Sequence, residues 1–74
     1  MSQDVLYNIR KIREIKNYSQ SYMATELDVC TKTYSRLETG ETELSVSRLE
    51  KIAKLFDMSL IDLYKFDVKN IFIK

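Results

Sequence analysis

The chain has 74 residues and a mass of 8.8 kDa, room for one small domain whose core needs close helix packing or a partner. Hydrophobic residues make up 45% and charged residues 31%, too apolar for a disordered tail and too charged for a membrane span. With no His, one Cys and a net charge of +1, neither an internal disulfide nor a zinc site is available, and the commonest acid–base group near neutral pH is absent.

One Gly and no Pro leave little punctuation, which favours helices. Val5, Ile9 and Ile12 fall at i, i+4 and i+7, with Leu6 widening the stripe, and predict a helix over about 3–16. That helix carries Arg10, Lys11, Arg13 and Lys16 against the single acid Glu14, a solvated face or a long-range electrostatic attraction. Met23, Ala24 and Leu27 predict a second helix over about 20–27. A third is expected over about 31–39, a fourth over about 46–56 from Leu49, Ile52, Ala53 and Phe56, and a fifth over about 60–66. Ser19, Ser45 and Ser59 each precede a helical pattern and can accept from first-turn N–H groups; Ser59 and Asp62 have capping-box spacing. Asn17, Asp28, Asp57 and Gly40 are the candidates for left-handed helix ends. Tyr18, Met23, Tyr34 and Phe56 are expected in the core, and Tyr22 outside it, packing locally or meeting a partner. The expectation is an all-α, compact five-helix domain over 1–66 with a short tail over 67–74.

No run approaches about eighteen apolar residues and no apolar block follows a basic start, so neither a membrane span nor a signal peptide is expected. The cytoplasm is the expected location. No cofactor, metal site or small-molecule ligand is expected, and no enzymatic activity.

The stretch from Ser19 to Gly40 holds a short helix, a turn around Asp28, Val29 and Cys30, and a second short helix, which is helix-turn-helix spacing at 20–39. Tyr34 and Leu37 continue an inner face. Thr31, Lys32, Ser35, Arg36 and Thr39 then point outward, offering cations and small hydroxyls without acids. Such a face suits the major groove, where Arg donates two parallel bonds to guanine and Thr offers a hydroxyl and a methyl. Cys30 before the second helix is a weak cap or a small buried apolar residue, with a redox-sensing thiol as the remaining alternative.

From about Val5 to Phe66 the chain resembles the lambda-repressor-like (Cro/repressor, or xenobiotic-response-element) helix-turn-helix family. The matching motifs are I-R-K-I-R (9–13), S-Q-x-x-M-A-x-x-L-D-V (19–29), S-R-L-E-T-G (35–40), L-E-K-I-A-K-L-F-D-M-S (49–59) and L-I-D-L (60–63). The resemblance implies a DNA-binding domain with its third helix in the major groove, acting as a transcriptional regulator, more often a repressor, on double-stranded DNA with a palindromic operator. It implies that Thr31, Lys32 and Arg36 touch base edges, and that Gln20 grips a phosphate at the start of the second helix. Thr33 and Thr39 match backbone-touching positions, which outward-facing Ser35 is expected to join. Arg13 and Glu38 match a structural salt bridge between the first and third helices. Departures are Asn17, Asp28 and Asp57, where the family commonly has Gly, and Cys30, where it has a Ser or Thr cap. The loop Glu41-Thr42-Glu43-Leu44 is acidic where the family is often basic, so it is expected to stand clear of the duplex or to lower affinity.

Ile71, Phe72 and Ile73 are consecutive apolar residues that invite cover, by this domain or by a second copy. A homodimer is expected, its contact drawn from Leu60, Tyr64, Phe66, Val68, Ile71 and Phe72. Two rival functions are an antitoxin or restriction–modification controller of the same fold, the former with a protein partner, and a helical protein-interaction module without DNA binding.

Overall fold

The apolar stripes close on one another as five helices: α1 (Gln3–Ile15), α2 (Gln20–Glu26), α3 (Thr31–Thr39), α4 (Val46–Leu55) and α5 (Leu60–Lys65). The structure, a computed structural model, describes residues 3–67, and among them there is no strand. Val5, Leu6, Ile9 and Ile12 form the buried face of α1. They meet Met23, Ala24 and Leu27, then Tyr34 and Leu37, then Leu49, Ile52, Ala53 and Phe56, and finally Leu63, all in one core. Leu44, between α3 and α4, is buried with them, although no periodic pattern marks it. Among the described residues no helix is long and apolar enough to cross a membrane.

The starts of α2, α4 and α5 are held as the sequence suggests. Ser19, Ser45 and Ser59 accept from the backbone N–H of Tyr22, Arg48 and Asp62, and Asp62 returns a bond to the N–H of Ser59. The ends repeat one motif three times. Asn17, Asp28 and Asp57 lie in the left-handed region, with φ of 65°, 60° and 60°. Their N–H groups donate to Glu14, Thr25 and Lys54 carbonyls. Those of the next residues, Tyr18, Val29 and Met58, reach back to Arg13, Ala24 and Ala53. Tyr18, Val29 and Met58 then pack against the core.

Two expectations are corrected. The helices expected over 3–16, 20–27, 46–56 and 60–66 each stop one residue sooner, because Lys16, Leu27, Phe56 and Phe66 belong to the turn out of the helix. Leu27 and Phe56 still bury their side chains, so an apolar stripe overstates helix length where its last member is the cap. Tyr18, expected inside, is half-buried, with its ring 4.7 Å from that of exposed Tyr22 and 6.4 Å from Phe56. Tyr22 packs on Tyr18 and stays 40% exposed.

α1 is the spine against which the reading segment and the last helix are both set, for it packs on α3 and on α5. Asn8 is buried and its Nδ2 donates to the carbonyls of Leu63 (2.9 Å) and Tyr64 (3.4 Å), satisfying orphan acceptors at the end of α5.

Candidate nucleic-acid interface

α2 and α3 pack directly on each other across a four-residue corner, Leu27 to Cys30. Leu27 and Val29 anchor that corner, and Asp28 makes the left-handed turn between them. α3 then divides cleanly. Tyr34, Leu37 and Glu38 are buried; Thr31, Lys32, Arg36 and Thr39 are exposed; Thr33 and Ser35 are half-buried at the margin. The exposed face holds two cations and two hydroxyls, and its acids are absent until Glu41.

The buried side of α3 is fastened by one carboxylate. Glu38 Oε2 accepts from Arg13 Nε at 2.8 Å and from the Tyr34 hydroxyl at 2.6 Å; Oε1 accepts from Arg13 Nη2 and from Gln20 Nε2, both at 3.2 Å. Arg13 Nη1 donates in addition to the Tyr18 carbonyl at 2.9 Å. One side chain thus ties α1, α2 and α3 together, and its neighbours satisfy all of its buried polar atoms. Burial pushes the Glu38 carboxyl up, but the hydrogen bonds from Arg13, Tyr34 and Gln20 together outweigh it and hold the group below its ordinary value. The bond to Glu38 raises the Arg13 guanidinium further above its already high value. Burial, reinforced by the bond to Glu38, pushes the Tyr34 hydroxyl far up.

The other residues singled out from the sequence fall as follows. Gln20, expected to grip a phosphate, is half-buried and spends one amide hydrogen on Glu38. Thr33 Oγ1 lies 3.2 Å from Cys30 Sγ, and Thr39 Oγ1 donates to the Arg36 carbonyl at 3.3 Å. Arg36 Nε stands 3.8 Å from Glu41 Oε1. Cys30 is exposed, which removes the buried alternative; it occupies the N-cap of α3 without a side-chain cap bond. The hydrogen bond with Thr33 draws its thiol below the ordinary value. On α1, Arg10 and Lys11 lie 5.9 and 5.5 Å from the Tyr7 ring centre, and Lys11 Nζ is 3.6 Å from Glu14. Of the residues expected at a dimer contact, Leu60 and Phe66 are half-buried and Tyr64 is exposed; Val68, Ile71 and Phe72 lie outside the described residues.

The sequence reading missed Tyr34 and Gln20 as partners of Glu38, Asn8 as the clamp on α5, and the pairing of Arg36 with Glu41. The i, i+4 spacing of Tyr34 and Glu38 was the available signal for the first.

A family model described as helix-turn-helix matches residues 9–63, from the middle of α1 to within α5. Neither a curated protein nor a solved structure matches the chain.

Proposed function

Because the chain belongs to the lambda-repressor-like helix-turn-helix family of DNA-binding regulators, we propose that it binds double-stranded DNA sequence-specifically and represses transcription, with α3 in the major groove. The observation that carries this reading is the exposed cation-and-hydroxyl face of α3, mounted on a buried network that ties the helix to α1 and α2. In this reading Thr31, Lys32 and Arg36 touch base edges. Gln20, Thr33, Ser35 and Thr39 meet the sugar–phosphate backbone, Gln20 with the amide hydrogen that Glu38 does not take. Arg13 and Glu38 present the helix and touch no DNA. The DNA-binding unit is residues 1–66, with 67–74 as a tail that joins α5 in dimer contact.

A two-fold dimer fits the operator geometry. Half-sites one helical turn apart lie about 34 Å centre to centre. Each copy carries one α3, which fills one half-site, so two half-sites call for two copies.

Selection from a random duplex library tests the reading. The expected product is a palindromic site bound more weakly as salt rises. Arg36→Ala is expected to relax preference at one base position, losing about 1–3 kcal/mol of discrimination there. Gln20→Ala is expected to weaken every sequence alike. Equal loss on all sites from both substitutions removes the division of roles, and failure to retain any duplex at low salt removes the function. The ion pair of Arg36 with Glu41 favours a second reading, a protein-interaction module, which that last outcome together with capture of a protein partner would support.

A further inference from the structure

The acidic loop after α3 is a sequence feature that the DNA-binding reading leaves without a part. Its position is set at both ends. Gly40 turns the chain in the left-handed region at φ 88°, pressed so close to α1 that a Cβ there would stand 3.3 Å from Leu6 Cδ1. Its N–H donates to the Leu37 carbonyl, and the N–H of Thr42 donates to the Arg36 carbonyl at 3.2 Å. Leu44 is buried in the core. Glu41 is therefore held beside Arg36 by backbone, with its carboxylate 3.8 Å from Nε, while the two side chains stay 71% and 49% exposed.

We infer that Glu41 restrains the reading helix by holding Arg36 until a matching base displaces it, an inference that rests on the DNA-binding reading above. An exposed pair of this kind is worth roughly a factor of two to five. A bidentate arginine–guanine contact discriminates by roughly five- to hundredfold and displaces the carboxylate. A single screened phosphate contact is a point-charge attraction of the same order as the pair itself, and does not. On a wrong site Arg36 stays with Glu41 instead of gripping the backbone indiscriminately. The pair is given up only on a matching site, so Glu41 lowers affinity there by the pair's full worth, and on a wrong site only by the phosphate contact it withholds, which is at most as large.

The test is a cycle of wild type, Glu41→Gln, Arg36→Ala and the double variant, titrated against the selected duplex and a scrambled one, with Glu43→Gln as a control of equal charge in the same loop. All three positions are exposed, so melting temperatures are expected to stay within a degree or two of wild type. Glu41→Gln should tighten the selected duplex by about two- to fivefold, tighten the scrambled one less, and do neither once Arg36 is Ala. Glu43→Gln should tighten both duplexes equally, with or without Arg36. If Glu41→Gln tightens both duplexes alike and does so in the Arg36→Ala background, Glu41 merely repels phosphate and the inference is overturned. The same holds if Glu43→Gln shows the dependence on Arg36. A wild type that retains no duplex overturns the DNA-binding reading and takes this inference with it.

Discussion

Glu38 is a buried carboxylate that can stay charged only because three side chains donate to it. Removing the charge leaves Arg13 half-buried opposite a neutral amide, so Glu38→Gln is expected to cost about 3 kcal/mol at pH 7, read by urea titration. Tyr34→Phe deletes only the 2.6 Å bond and is expected to cost about 1–2 kcal/mol. The pH dependence has a definite sign. The folded carboxyl titrates below its unfolded value, so the unfolded chain binds more protons between the two. The stability from Glu38 is therefore present above about pH 4.5 and is lost as pH falls through the folded pKa. Glu38→Gln should flatten that acid limb, whereas Tyr34→Phe, which removes one of the bonds holding the pKa down, should move it to higher pH. Melting curves between about pH 3 and 7 decide this, and an unchanged limb in Glu38→Gln would assign the acid sensitivity elsewhere. The pairing of Arg13 with Glu38 is legible from the family motif, being a fixed pair of positions. The donors Tyr34 and Gln20 are not, since Tyr34 reads as core and Gln20 as exposed until the packing of α2 on α3 brings both within reach of one carboxylate.

Helix starts offer an internal comparison at the next scale. The caps of α2, α4 and α5 have φ, ψ of −80°, 161°; −72°, 159°; and −83°, 166°, and each is a serine with a bond to the third residue of its helix. Cys30 has −79°, 161° and no cap bond. The backbone of α3 is already in the capped conformation and lacks only the oxygen. Cys30→Ser is therefore expected to stabilise the domain by about 1 kcal/mol without altering the fold, measured as a rise in melting temperature of several degrees. A neutral or destabilising result would mean that the thiol contact with Thr33 contributes as much as a serine cap. Elements were the most legible level, because serine caps, left-handed Asn, Asp and Gly ends and apolar stripes are all local signals. Their failures are local too. A stripe does not say whether its last member is helix or cap, which is why four helices end one residue early. No periodicity announces Leu44, whose burial is set by the loop's path.

At the scale of the whole molecule, the described surface away from α3 carries exposed apolar side chains on α5. Ile61 is 64% exposed and Tyr64 48%, neighbours on one face of α5, with Leu60 and Phe66 half-buried beside them. Tyr64, Leu60 and Phe66 are readable as contact candidates from composition near the end of the chain. Ile61 is not, since Leu60, Ile61 and Leu63 are all apolar and only packing against α1 and α4 shows which of them faces out. In the proposed dimer Ile61 lies in the contact, so Ile61→Asp is expected to give a folded monomer by sedimentation at micromolar concentration where the wild type is a dimer. Its melting transition should persist, because the side chain makes no part of the core. Binding should then separate by length of site. An isolated half-site is held as before, since α3 is untouched, while a palindromic duplex loses about a hundredfold or more, the gain that a second linked site supplies. Loss of half-site binding in Ile61→Asp would place α5 in the DNA contact itself, and a wild type that sediments as a monomer would leave the exposed face of α5 to some other occupant.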